Sequence, residues 1–354
     1  MKTQAGVGSQ GENLDLQGII DLSVKRVLGM QEFISGGDLA RLAAIDSEMR
    51  FILRFYHSDS MAMPGGDQAT SDFHWAINNI PPHLRHLIIG VIPANEQNLD
   101  VEHAWVPYAG FWKSEEGYRA IDKWLVQWAH TWRQLAQRTD WRPELWWPAL
   151  SPGHNTPGQP PESEYALLRA SMAAYDRLCI HVYGNEDAAQ VWSEWVGIRR
   201  LERIRAAMNA LGFEDKLKPI TEVNRVNFKA LLEYLEQFPD VNEALWFLYR
   251  SAKEDHRAFD LKWPWTDGLR EYIVEQQEEE EPMPILKEQF PVIYKQWVET
   301  GGDPEADFRR HLWGINAPWL PQPNDGEFAK LCEDGKSLLE QIKLIGLRRS
   351  LPKV

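Results

Sequence analysis

The feature that most constrains this chain is a rhythm. Between residues 24 and 249, short apolar runs with β character alternate with longer stretches of helical spacing. The runs are "VKRVLG" at 24–29, "RFILRFY" at 50–56, "HLIIGVI" at 86–92, "ELWWPAL" at 144–150, "RLCIHVY" at 177–183, "KPITEV" at 218–223 and "ALWFLY" at 244–249. Among the stretches between them, "GYRAIDKWLVQWAHTWRQLAQR" and "VWSEWVGIRRLERIRAAMNALGF" repeat apolar residues three and four apart, as amphipathic helices do. Strand and helix in strict alternation imply parallel strands joined by helical crossovers. The expected fold is therefore α/β, a (β/α)8 barrel of the TIM type. Such a barrel closes with eight strands, and only seven are evident. The first is expected to be atypical, either "LQGIIDL" at 16–22 or a segment lying before this sequence. An open doubly wound sheet is the alternative, but it would carry a Gly-rich turn after its first strand, and none is present.

Composition removes several function classes. A formal net charge of −14 argues against a nucleic-acid surface, which needs clustered Lys and Arg. No apolar run approaches the length of a membrane span, and the N-terminus has no signal-peptide core, so the native compartment stays open. Cys179 and Cys332 have no near partner at metal-binding spacing and read as free buried thiols. The 17 Trp exceed ordinary usage and suit either a core or a sugar-stacking cleft, with the core as home for most.

Texture divides the chain into four parts. Residues 1–18 are polar and Gly/Gln-rich and read as a flexible leader. The barrel is expected over 19–274, an acidic linker over 275–284 ("EQQEEEEPMP") and a small helical region over 285–354. That last region is expected to pack on the barrel, or to bind a protein or cell-wall partner.

In a β/α barrel the C-terminal strand ends converge on one face, so residues there should meet. Reading them in order gives Arg54, Tyr56, His57 and Asp59; Asn95 and Glu96; Trp147, Ser151, His154 and Asn155; His181 and Tyr183; Glu222 and Asn224; and Trp246 and Tyr249. Two carboxylates on separate strands can serve glycosidic cleavage, one protonating the leaving oxygen and the other attacking the sugar. Glu96 and Glu222 fill those posts. Their bland readings are a loop or capping carboxylate for Glu96 and a surface residue for Glu222. His181 could be a core histidine, Arg54 a barrel ion pair, and Trp147 and Trp246 plain core.

Here the sequence resembles the clan A glycoside hydrolases, retaining enzymes on the eightfold barrel. "PANEQN" is similar to the Asn-Glu-Pro of that clan's fourth strand, with Gln97 in place of Pro. "PITEVN" resembles its seventh-strand nucleophile motif, "IHVYGN" its His-x-Tyr, and Trp246 its eighth-strand sugar floor. The resemblance covers roughly residues 50–250, and the order of the matches carries it, since each alone is weak. It implies Glu96 as acid/base, Glu222 as nucleophile and Arg54 as partner of the nucleophile. Asn95 would contact the sugar 2-hydroxyl, His181 and Tyr183 would orient the nucleophile and line the site, and Trp246 would floor it; the strand ends add Trp147, Asn155 and Asn224 as substrate-binding candidates. The expected partner is an oligo- or polysaccharide, and no cofactor is needed.

Rival chemistries have little support: no HExxH or similar metal cluster and no Gly-x-Ser-x-Gly elbow occurs, so no metal is expected. The alternative from another class is a carbohydrate-binding barrel without turnover, which would tolerate Glu96 and Glu222 far apart.

Overall fold

The computed structural model describes residues 3–9, 24–31, 36–45, 48–56, 63–100, 107–151, 160, 162–183, 191–194, 197–224 and 226–247. The chain divides into a compact unit of Met1–Ala44 with Glu48–Gly268, which holds every described strand, and a second of Ile45–Ser47 with Leu269–Val354. The linker expected at 275–284, the helical region at 285–354 and Cys332 lie outside the described residues.

Among the described residues nine strands run parallel: β1 Gln4–Ser9, β2 Arg26–Met30, β3 Arg50–Arg54, β4 Ile88–Ile92, β5 Glu144–Trp147, β6 Arg177–Leu178, β7 Ile180–Tyr183, β8 Ile220–Asn224 and β9 Glu243–Trp246. Their lateral order is β6-β5-β4-β3-β2-β1-β9-β8-β7. The two apparent edges, β6 and β7, are halves of one stave separated only by Cys179. Cys179 N–H donates to Trp147 O on one side, and Ile180 N–H donates to Pro219 O on the other. The nine strands are thus eight staves, and the ring closes.

The eighth stave is β1, "QAGVGS". This corrects the expectation of a flexible leader over 1–18, since part of that segment is paired between β2 and β9. The candidate "LQGIIDL" lies outside the described residues. Packing explains why β1 looks unlike a strand. A Cβ on Gly6 would fall 2.4 Å from Leu245 Cδ2 and 2.7 Å from Arg26 O, so only glycine lets the neighbours approach.

Side chains alternate across each stave. Leu28, Ile52, Ile92, Trp146, Cys179 and Leu245 point inward and fill the barrel. Trp146 lies over Gly90, where a Cβ would sit 2.5 Å from the indole. The opposite faces meet the helices. Helix α1 is Gly36–Ile45, α2 Gly65–Asn79, α3 Glu115–Ala136, α4 Arg169–Ala174, α5 Arg200–Ala210 and α6 Phe228–Leu235. The Ser114 side chain caps α3 by accepting from Gly117 N–H, and Glu115 and Glu116 complement the dipole in its first turn. Its buried face carries Tyr118, Ile121, Leu125, Trp128 and Trp132 at helical spacing.

Much of the tryptophan sits in this outer layer. Trp128 stacks on Trp132 at 4.8 Å, with Phe55, Phe73 and Trp141 around them. Buried Asp72 accepts from Gln68 Nε2 and Trp128 Nε1. Among the described residues no helix is long and apolar enough to cross a membrane.

Candidate active site

At the C-terminal mouth, the pleat aims four inward positions at one point. Arg54 follows Ile52 with the same parity, and His181 and Tyr183 follow Cys179. Glu222 reaches the same space by an irregularity: between Ile220 and Glu222, β8 takes two steps against one on β7. The extra residue, Thr221, is a β-bulge, a device that re-aims a strand-end side chain. A matching irregularity in β4 sets two steps, Ile88 to Gly90, against one on β3. Both staves that supply a candidate carboxylate are bulged.

Glu96 stands four residues beyond β4, at φ +27°, a region that side-chain-bearing residues rarely adopt. Its carbonyl accepts from Leu99 N–H at 2.9 Å, closing a turn. Glu96 Oε1 lies 2.7 Å from His181 Nδ1 and 3.3 Å from the Tyr183 hydroxyl. Glu222 is bonded on both oxygens: Arg54 Nη1 donates to Oε1 and the Tyr183 hydroxyl to Oε2. His181 Nδ1 is 3.8 Å from Glu222 Oε2. Tyr183 has one hydroxyl proton for two carboxylates, and the nearer oxygen, on Glu222, receives it. Arg54 is steadied in turn by Nε contacting Met30 Sδ at 3.1 Å.

The electrostatics separate the groups. Burial pushes the Glu222 carboxyl up, but the charges of His181 and Arg54 and the hydrogen bonds from Tyr183 and Arg54 outweigh it, holding it below the ordinary carboxylate range. Arg54 is raised from the opposite side of the pair: burial lowers it, and Glu222 more than restores it. Burial, then Glu222 and Glu96, keep the Tyr183 phenol protonated and a donor. The cluster therefore holds an ionised carboxylate beside a second, histidine-bonded one. Glu96, His181 and Glu222 each offer a ligand atom, all within 4.8 Å of one another, and on geometry alone could grip a metal ion. Arg54 already puts a positive charge on Glu222, which opposes a second cation there.

The remaining expected site residues scatter. Asn95 is half-buried beside Glu96. Asn155, His57, Asp59, His154 and Tyr249 lie outside the described residues, as does the side chain of Asn224. Trp147 and Trp246 are corrections to the expected site: both are 0% exposed and face the helices. Trp147 Nε1 donates to Ser171 Oγ; Trp246 stacks on Phe228 at 3.7 Å and donates to Val226 O. In both doublets the inward parity belongs to the neighbour. Inward Leu245 predicts an inward Phe247, and the half-buried Phe247 ring lies 3.9 Å from where a Cβ on Gly8 would stand. Strict two-residue counting along "ALWF" would have found it. Nothing in the sequence flagged Met30.

No protein-family model and no curated protein matches the chain. Among solved structures it is similar to an endo-β-1,3-glucanase from Amycolatopsis mediterranei in complex with laminaripentaose, at 16% identity and a TM-score of 0.39, covering 70% of this chain and 88% of that one. It is similar as well to an endo-1,4-β-D-mannanase from Thermotoga petrophila, at 11% identity and a TM-score of 0.48, covering 77% and 99%. A third is a curdlan-specific exo-β-1,3-glucanase from Blastomyces gilchristii, at 14% identity and a TM-score of 0.41, covering 69% and 89%.

Proposed function

We propose that the chain is a retaining glycoside hydrolase that cleaves O-glycosidic bonds of an oligo- or polysaccharide. One observation carries the reading: two buried carboxylates on different staves approach within 4.8 Å through their oxygens, and one of them is held ionised. Retaining double displacement needs carboxyl groups about 5–5.5 Å apart, whereas the inverting route needs a wider gap for water.

In the first step Glu222 attacks the anomeric carbon while the bond to the leaving oxygen breaks, and Glu96 gives that oxygen its proton. In the second, Glu96 as a carboxylate takes a proton from water, whose oxygen displaces Glu222 from the same carbon. Arg54 and Tyr183 keep Glu222 charged and aimed until it reacts. His181 orients Glu96. Asn95 beside the acid suits a sugar hydroxyl, and Phe247 replaces Trp246 as the aromatic beneath the sugar.

The test is incubation of the protein, Glu96→Gln and Glu222→Gln with aryl glycosides and with β-glucan, mannan and galactan, following the first product by proton NMR. We expect hydrolysis with retained anomeric configuration, falling at least about 1,000-fold in Glu222→Gln. Saccharide binding without turnover, unchanged in both variants, would make the protein a carbohydrate-binding barrel instead.

A further inference from the structure

The Glu96 turn poses a mechanical problem. Its stave ends at Ile92, and the last ladder bond there is Phe55 N–H to Ile92 O. Four residues later the chain holds Glu96 at φ +27°, and unfavourable backbone of this kind persists only where its surroundings over-determine it. The Leu99 N–H bond to Glu96 O closes the turn on itself but ties it to no other element.

Asn98 supplies such a tie, beside the one that the Glu96 carboxylate itself makes to His181. Its side chain is 1% exposed. Asn98 Oδ1 accepts from Ser151 N–H at 2.8 Å, and Nδ2 donates to Ser151 O at 3.4 Å. The amide thus reads both backbone groups of one residue in the segment after β5, 53 positions away. The same side chain is hydrogen-bonded to the Tyr118 hydroxyl on α3. One planar amide joins the turn after β4, the segment after β5 and the longest described helix.

We propose that Asn98 is a positioning residue that sets the reach of Glu96 through its turn, an inference resting on the reading of Glu96 as acid/base. Asn98 does not meet the reacting atoms. It fixes where the Glu96 carboxyl stands against His181, and a displacement of about 1 Å at a proton donor costs on the order of 100-fold in rate.

The role has a kinetic signature that general loosening of the fold does not share. Misplacing the acid hurts departure of poor leaving groups, which need its proton, and spares good ones, which leave unaided. The experiment compares kcat/KM, which reports the first chemical step, for phenyl and 2,4-dinitrophenyl glycosides of the sugar that wild type cleaves. The proteins are wild type, Glu96→Gln, Asn98→Ala and Asn98→Asp. Asp72→Asn, in the α2–α3 layer away from the mouth, controls for lost stability.

We expect Asn98→Ala to lose about 100-fold on the phenyl glycoside and under about 5-fold on the dinitrophenyl one, following Glu96→Gln in kind. Asn98→Asp, which keeps the acceptor for Ser151 N–H, should recover part of the loss, and it carries the comparison if the alanine variant does not fold. Asp72→Asn should keep the wild-type ratio of the two substrates. Equal losses on both glycosides, or none, with Glu96→Gln still selective, would overturn the role of Asn98 while leaving the hydrolase reading intact. A wild-type protein that cleaves neither would bring both down.

Discussion

The two ends of this barrel bury a glutamate among arginines, and the protein treats the two in opposite ways. At the mouth, Glu222 is held below its ordinary pKa. At the N-terminal end Glu243, the first residue of β9, is pushed above it, because burial outweighs the pull of Arg26 and Arg177. Both are 2% exposed, so depth does not separate them. The difference is where the donors land. Arg177 Nη1 at 3.0 Å, Asn242 Nδ2 at 3.2 Å and Arg26 Nε at 3.8 Å all converge on Glu243 Oε1, while its buried Oε2 has no hydrogen-bond partner. Arg177 is also shared with Glu144 at 2.6 Å. Glu222 has one donor on each oxygen. A buried carboxylate is held below its ordinary pKa here where both of its oxygens are served, and proximity to cations alone does not achieve this.

The sharpest way to break the comparison is to take the cation from the mouth. Arg54→Met leaves Glu222 buried with the Tyr183 hydroxyl bonded to it and His181 and Glu96 beside it, and removing one partner of a buried pair costs about 3–5 kcal/mol. The Glu222 pKa should rise. On the proposed mechanism Glu222 is a nucleophile that works only when ionised, so the acidic limb of the kcat/KM profile should move to higher pH. The stability linked to this group should change with it. In the wild type, the low pKa of folded Glu222 favours folding above the unfolded carboxylate range and loses that benefit as pH falls. Arg54→Met should flatten this acid-side slope. An unmoved acidic limb, measured across pH 4 to 8 (roughly the range in which enzyme carboxylates titrate), would show that Arg54 does not set the charge on Glu222.

The other end should answer with stability alone. Glu243→Gln keeps the shape but takes from Arg26 the nearer of its two acidic neighbours, Glu48 remaining, and Arg177 retains Glu144. Both arginines are partly exposed, so the expected cost is about 1–2 kcal/mol, less than for a sealed pair. Turnover should stay within about threefold of wild type, because Glu243 lies at the opposite end of its stave from the mouth. Denaturant unfolding and kcat measured on one preparation decide it, and a collapse in kcat at intact stability would mean that the two ends are coupled.

How much of this was legible follows from the same geometry. Seven staves announced themselves because parallel strands buried on both faces read as continuous apolar runs. That is also why their facing was not legible: in "ELWW" and "ALWF" every position is apolar, and Trp147 and Trp246 look as able to reach a sugar as Trp146 or Phe247. Only inward neighbours such as Cys179 and Leu245 fix the parity. The stave at Gln4–Ser9 was missed for the converse reason, since close approach at Gly6 removes the side chain that would have advertised it. That Glu96 and Glu222 would meet could be read because strand ends converge whatever the parity of the strand. The bulges that aim them are set by strand register, which one strand's sequence does not display.

A third buried glutamate sharpens the contrast by having no direct ion pair among the described residues. Glu164 lies in the 3-10 turn Ser163–Leu168, and its neighbour Glu162 takes both nearby arginines, Arg200 at 3.0 Å and Arg203 at 2.5 Å. Glu164 Oε2 is buried with no hydrogen-bond partner, and burial pushes its carboxyl from 4.5 to about 7. The folded state therefore holds a proton that the unfolded state has released, and folding loses stability as pH rises from the unfolded value through about 7. Glu164→Gln cannot ionise and should escape that loss. Its thermal midpoint should exceed wild type at pH 8 (roughly one unit above the raised value), by an amount corresponding to on the order of 2 kcal/mol, and the two curves should converge near pH 5. Parallel curves would mean that Glu164 finds a charged partner after all, and that burial without an ion pair is not what raises a carboxylate in this protein.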